Sequence, residues 1–260
     1  MELLKVILFF FYFSVQNVLL ISDIHSRDDA LSRLVDRLSK SINAGSHLVF
    51  LGDLSDCRDK LYRPTCSFLK VYELVRQLCN EGYATLLHSN HGQNLADLYL
   101  GRRKVRRGVV GFKNTISELE ALDEPTRDKI VQWLDTRPLT FTYSSENGNT
   151  YKMAHAFYQK DFEYKYLEPE TLTPEEVDFT LRGRKSTWMW EGRQITKRTG
   201  FWRNPERWGA TNSDVLCSGH WGRVIVEPNC IVNDPGGDST NGTLGVFNCN
   251  LHQLTIHEAQ

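Results

Sequence analysis

A chain of 260 residues with 40% hydrophobic content and a formal net charge of -1 can bury one substantial core, and its balanced charge gives no sign of a general polyanion binder. Its six cysteines, Cys57, Cys66, Cys79, Cys217, Cys230 and Cys249, form no Cys-x-x-Cys pair and mostly fall in apolar runs. That pattern argues against a structural zinc site and for free thiols in a reducing compartment.

The chain opens with Glu2 and Lys5, then an apolar run from Val6 to Val15 like the hydrophobic region of a signal peptide. No small-x-small cleavage site follows, Glu2 offsets the lone Lys5, and Asn17 to Ile21 is needed as a buried strand. A membrane helix of roughly 20 apolar residues would consume that strand. Residues 1–16 are therefore expected to be a packed extension or a leader added by an upstream start codon. Export or membrane anchoring through them is the alternative. Residues 17–260 are expected to form a single cytoplasmic domain with no obligate membrane partner.

From residue 17, strands alternate with helices. Val18 to Ile21 runs into Ser22, Asp23, Ile24 and His25, and Asp28 precedes a helix with an apolar stripe of Leu31, Leu34, Val35, Leu38 and Ile42. The strand Leu48 to Leu51 ends in Gly52 and Asp53, a helix follows from about Cys66 to Asn80, and the strand Tyr83 to Leu87 ends in His88, Ser89, Asn90 and His91. This β-α-β-α-β order implies parallel strands with right-handed crossovers, so the three strand ends share one edge. Further on come helices at Ile116 to Leu122 and Pro125 to Leu134, then a hairpin of Leu139 to Tyr143 and Tyr151 to Ala154 across Glu146 to Asn149. Periodicity fades from about Gln159 to Gly209, which predicts a loop-rich insertion. Short strands return at Asp214 to Ser218, Val224 to Val226, Ile231 to Val232, Leu244 to Cys249 and Leu254 to Ile256.

The chemistry gathers at strand ends: Asp23 and His25, then Asp53 and Asp56, then Asn90 and His91, then His155 and His220. Any one of these is commonly a turn carboxylate or a satisfied polar group. Five strand ends carrying Asp, Asn and His are hard to explain as packing. Carboxylate oxygen, amide oxygen and neutral imidazole suit Mn²⁺, Fe and Zn²⁺, and two such ions need about eight donors. Two metals roughly 3.5–4 Å apart, bridged by Asp53, would bind phosphoryl oxygens and hold a hydroxide in line with the leaving group.

Asp-x-His, Gly-Asp-x-x-Asp, Asn-His, a lone His and Gly-His together resemble the calcineurin-like metallophosphoesterases, most closely their phosphoprotein phosphatase branch with its phage and bacterial enzymes. The resemblance runs from about Asn17 to the C-terminal strands, including the Asp234 and Gly236 spacing. It implies an α/β fold, a four-layer α-β-β-α sandwich with two mixed sheets. It also implies two divalent ions, Mn first with Fe or Zn as alternatives. Asp23, His25 and Asp53 would hold the first ion, and Asp53, Asn90, His155 and His220 the second. His91 would be the general acid, oriented by Asp56.

The departures concern phosphate binding. Cys57 and His88 stand where the resembled enzymes carry phosphate-binding arginines, Arg58 stands at the next glycine, and Ser89 and Gly92 replace a glycine and a glutamate. Gly222 replaces the second histidine of Gly-His-x-His, which leans towards monoesters. Arg58 is a candidate phosphate contact, as is Arg193, which lies near the Trp-x-Arg region of related phosphatases. Two basic stretches remain. Gly101 to Gly108 reads first as a solvated turn. Arg182 to Trp208 interleaves Trp188, Trp190, Trp202 and Trp208 with Arg and Lys, either as a small tryptophan cluster under a basic surface or as a platform for a nucleotide or nucleic-acid end.

The expected activity is hydrolysis of phosphomonoesters by metal-bound hydroxide without a phosphoenzyme, with a serine/threonine phosphoprotein as the first substrate class. A nucleotide or nucleic-acid-end phosphatase or phosphodiesterase is the alternative. A weakly catalytic phosphate-binding module is the alternative from another class.

Overall fold

The computed structural model describes residues 16–57, 66–102, 112–158, 171–190, 193–199, 213–236 and 243–258, without the side chains of 112 and 184–199. Residues 1–15, for which an extension, leader or signal is expected, lie outside the described residues, as do Arg58 and 103–111. Among the described residues, no helix is long and apolar enough to cross a membrane.

The first half builds one sheet. Its β1 (Asn17–Ile21), β2 (Ser46–Phe50) and β3 (Ala84–Leu86) are parallel, joined through α1 (Asp28–Asn43) and α2 (Phe68–Asn80). Side chains alternate across this sheet. Leu19, Ile21, Leu48 and Phe50 face the helices, while Val18, Leu20, Val49 and Leu51 face a second sheet. Both faces are covered, so the strands read as unbroken apolar runs. The helices α3 (Asn90–Tyr99), α4 (Phe112–Glu120) and α5 (Glu124–Asp135) complete the outer layer with α1 and α2. Glu118 of α4 accepts the Phe68 and Leu69 amides at 3.0 Å each and the Ser67 hydroxyl at 2.8 Å, satisfying the open N-terminus of α2 with an anion.

The second half supplies β4 (Thr140–Ser144), β5 (Thr150–Ala154), α6 (Pro174–Arg182), the hairpin β6 (Arg184–Trp190) and β7 (Arg193–Thr199), then β8 (Asp214–Ser218), β9 (Val224–Glu227), β10 (Cys230–Asn233), β11 (Leu244–Asn248) and β12 (Gln253–His257). The first sheet runs β12-β11-β1-β2-β3 and the second β4-β5-β8-β10-β9. Both are mixed: β11 is antiparallel to β1, while β5, β8 and β10 are mutually parallel between antiparallel edges. Leu181 of α6 packs with Phe157, Leu216 and Val232 on the outer side of the second sheet. The layers are therefore helices, sheet, sheet and helix, as the family resemblance implies.

Two elements differ from the sequence expectation. Residues 159–209 are not loop throughout: α6 starts at a capping box in which Thr173 and Glu176 satisfy each other's backbone, with Pro174 in the first turn, and β6 pairs with β7. Nor does the motif of Asn90 and His91 simply end a strand. It opens α3, because the Ser89 hydroxyl accepts the Gly92 amide at 3.2 Å and caps the helix.

Candidate active site

The loops after β1 and β2 are bonded to each other through their backbones. The Ile24 and His25 amides both donate to the Asp53 carbonyl, at 3.0 and 2.9 Å, and the Ser26 amide donates to the Leu54 carbonyl at 2.7 Å. The fully buried Ile24 anchors the first loop in the core. These contacts hold His25, Ser26, Asp53 and Asp56 in left-handed conformations, with φ of 49°, 61°, 28° and 74°. His220 shares the feature at 68°, and among the described residues His252 is the only other non-glycine that does. Such backbone costs about 1–3 kcal/mol per residue and persists only where its surroundings over-determine it.

Around Asp53 the donors fall into two groups. Ligand atoms of His25, Asp53 and His91 lie within 4.8 Å of one another, as do those of Asp53, His155 and His220. Asp53 belongs to both. Its Oδ2 is 3.5 Å from His155 Nε2 and 3.7 Å from His91 Nε2, and its Oδ1 accepts the His91 amide at 3.3 Å, at the start of α3. Asn90 Oδ1 lies 2.7 Å from His155 Nε2, and His220 Nδ1 lies 3.2 Å from the same nitrogen. Asp23 stands slightly behind, accepting the His220 amide at 2.8 Å through Oδ2, with Oδ1 3.7 Å from His155 Nδ1. The six expected ligands and His91 with Asp56 thus come together at one edge.

The ring orientations are set from outside the cluster. His155 Nδ1 donates to the Leu51 carbonyl at 2.8 Å and His25 Nδ1 to the Ser55 carbonyl at 3.0 Å, which leaves each Nε2 as a lone pair. Burial pushes the His155 imidazole down, and burial together with His155 pushes His220 well down, so both rings are neutral near pH 7. Burial alone would raise the Asp53 carboxyl. The surrounding imidazoles of His155, His91, His25 and His220 outweigh it and hold the group well below the usual carboxylate range. An ionised carboxylate, neutral imidazoles and an amide oxygen crowded in a buried space are the donor set a divalent cation satisfies, so these residues fit the metals the sequence implies.

The partner of His91 is Asp56, whose Oδ2 accepts from its Nδ1 in a short contact, turning Nε2 towards the cleft. The Asp56 amide donates to Thr115 Oγ1 of α4 at 3.2 Å. The cleft, about 250 Å³, is lined by His25, Asp53, Asn90, His91, His220, Trp221, Gly222 and Asp234. Two glycines allow the close approach. A Cβ on Gly52 would overlap the His155 ring and Ser89, and one on Gly219 would come 2.5 Å from Asp23 Oδ1.

Sequence reasoning gave several residues no role in the site. Trp221 donates its indole N–H to the Ala156 carbonyl at 3.0 Å and packs edge-on to His220, and the Asp234 carboxylate accepts the Gly222 amide at 2.6 Å. Trp221 directly follows the Gly-His pair, and that adjacency was the available signal. Arg182, at the end of α6, donates to Asn94 Oδ1 at 2.9 Å and reaches the Asn90 carbonyl at 3.4 Å. Both replaced arginine positions point elsewhere. His88 is buried, donating from Nδ1 to the Leu134 carbonyl at 3.0 Å with Nε2 2.9 Å from Gln93 Oε1, so it braces α3 against α5. Cys57 contacts Cys66. No Arg or Lys lines the cleft among the described residues. Arg58 lies outside them, and Arg193 opens β7 with its side chain outside the description. Of the basic run, Arg102 forms a two-pronged pair with Asp135 at 2.7 Å.

Residues 16–221 match the family described as calcineurin-like phosphoesterase. A bis(5'-nucleosyl)-tetraphosphatase of Halalkalibacterium halodurans is 31% identical over 120 residues, covering 43% of this chain and 45% of that protein. The match thus spans less than half of the curated relative. Among solved structures, a putative diadenosine tetraphosphatase superposes with a TM-score of 0.59 at 16% identity, covering 94% of both chains. A Saccharomyces cerevisiae protein serine/threonine phosphatase superposes at 0.55 with 13% identity, covering 94% of this chain and 79% of the other. At these identities the superpositions establish the fold.

Proposed function

Because this chain belongs to the calcineurin-like phosphoesterases, a family of hydrolases acting on phosphoesters, we propose that it cleaves phosphomonoesters at a dinuclear centre held by Asp23, His25, Asp53, Asn90, His155 and His220. The observation that carries this reading is that Asp53 belongs to two overlapping groups of donors, as a bridging carboxylate would. These six residues would hold divalent ions, Mn first and Fe or Zn as alternatives, which would supply an activated water and neutralise charge on the phosphoryl group. The protein's own groups do the rest. The Leu51 and Ser55 carbonyls fix the His155 and His25 tautomers, so neither ring has to turn when charge develops. His91 delivers a proton from Nε2 to the departing oxygen while Asp56 holds its Nδ1 side and stabilises the imidazolium. Arg182 steadies Asn90 through its carbonyl.

A phosphoserine or phosphothreonine protein is the first substrate class, supported by the branch the motifs resemble and by Gly222 where diesterases carry a second histidine. A nucleoside polyphosphate is the second reading, favoured by the names of two relatives and by Trp221, an aromatic wall beside His220 on which a base can stack. The full chain with Mn²⁺ should be given p-nitrophenyl phosphate, bis-p-nitrophenyl phosphate, a phosphoserine peptide and bis(5'-adenosyl) tetraphosphate. Preferential turnover of the monoester and the peptide is expected. Preferential release of nucleotide would move the assignment to the second reading, and no turnover above an Asp53→Asn control on any of the four would sink both.

A further inference from the structure

We propose that Cys57 and Cys66 form a reversible disulfide, an oxidation site that ties the residue following Asp56 to the head of α2. Their sulfurs lie 2.7 Å apart, well inside van der Waals contact, and the two residues are nine positions apart in sequence. Little displacement separates this contact from a bond. Cys57 directly follows Asp56 and is buried, while Cys66 directly precedes Ser67, the cap of α2, and is half-buried. The bond would therefore link the acid pair's loop to a helix whose N-terminus is already clamped by Glu118.

The surroundings suit a dithiol at rest that can still exchange. The hydrogen bond to Cys57, with burial, pushes the Cys66 thiol up, so Cys66 keeps its proton near neutral pH. Opposing this is Arg27, fully buried and held by Asp29 at 2.9 and 3.0 Å, whose positive charge acts on both sulfurs and favours a thiolate when one forms. Cys217, Cys230 and Cys249 have no exposed surface and serve as internal controls.

A low-molecular-weight disulfide such as oxidised glutathione completes the chemistry. The more accessible Cys66, as thiolate, attacks one glutathione sulfur and expels a glutathione thiolate. Cys57, as thiolate, then attacks Cys66 Sγ in the mixed disulfide and expels the second. Two protein thiols are oxidised, one glutathione disulfide is reduced to two thiols, and the two protein protons end on the departing glutathiones. Closing the bond draws the two sulfurs together from their present 2.7 Å and shifts Cys57, the residue that directly follows Asp56. That shift passes to Asp56, held at φ 74° and bonded to Thr115, and loosens its hold on His91. The loss of turnover rests on the acid-pair reading above, whereas the bond does not.

The metal-loaded full chain should be equilibrated in glutathione buffers of graded ratio, quenched with an alkylating agent and peptide-mapped, with p-nitrophenyl phosphate turnover followed in parallel. The expected result is a loss of two hydrogens in mass and a cross-linked Cys57–Cys66 peptide, both reversed by dithiothreitol. A roughly tenfold fall in kcat should accompany them, the lower end of what losing an outer-shell partner costs. Cys57→Ser and Cys66→Ser should keep their activity in the oxidising buffer. Cross-links confined to other cysteines, or glutathione remaining on Cys66, would overturn the site. A cross-link with unchanged kcat would overturn its effect on turnover. Should the protein show no turnover at all, the peptide map still decides whether the bond forms.

Discussion

The loops after β1 and β2 and the start of α3 bring Asp23, His25, Asp53, Asp56, Asn90 and His91 together, whereas the second sheet adds His155 and His220 to that cluster. The contributions are secured differently. Loops of the first sheet bond to one another through backbone amides, so its carboxylates are positioned locally. The two imidazoles depend on docking across sheets: His155 on the Leu51 carbonyl, and His220 on Asp23 through its own amide. Asp53 is the point where the halves meet. The comparison teaches that the carboxylates of the donor cluster are built into one sheet, while two of its imidazoles are added by packing a second sheet against it.

The strongest way to break this division is Asp53→Asn, which removes the shared carboxylate. Turnover is expected to fall by more than about 10³-fold. Elemental analysis should show both ions lost, and retention of one ion would mean that the halves are independent. His91→Asn sharpens the first-sheet side, because His91 sits near Asp53 through Nε2 and against Asp56 through Nδ1. As general acid its loss costs about 10²–10⁴-fold in kcat with metal content unchanged. Loss of metal would make it a ligand instead.

A smaller effect tests the docking. Gly219→Ala pushes a methyl against Asp23 and should destabilise by about 1–3 kcal/mol in thermal or urea unfolding, with weaker metal retention than the parent. The smallest effect is on pH dependence. His155 and His220 have folded pKa values below their unfolded value, so on acidification the unfolded chain takes up protons first. Stability is therefore full above about pH 6.5 and falls as pH drops below it. Melting of the chelator-treated protein between pH 5 and 8 should show this, with a shallower slope in His220→Asn.

How far the sequence carried depends on the distance over which each feature is encoded. The strand-end donors were legible because each sits within a few residues of the apolar run that positions it, as with Leu48 to Asp53. The helix α3 was not, since its cap Ser89 lies inside a motif whose histidines dominate the reading. The capping box of α6 was written at Thr173 and Glu176, but the surrounding aperiodic stretch obscured it. Contacts that close only in three dimensions left no local mark. Cys57 against Cys66 and His88 turned into the α3–α5 packing are of this kind. His88 is instructive: a departure that suggested impaired phosphate binding is a packing residue, with its own contacts away from the cleft.

The neighbours of β1 have a consequence for how the protein is made. Leu20 pairs with Val49 on one side and with Phe247 on the other, so one edge of this strand is met by some of the last residues described. During synthesis the donors Asp23, His25 and Asp53 emerge early, yet the strand that carries the first two keeps an open, apolar edge until β11 arrives. Pairings between such distant residues slow folding, and unpaired edges invite association with other chains. The nascent chain therefore holds most of its carboxylate donors well before it can close the sheet that supports them, and that interval is when it most needs shielding.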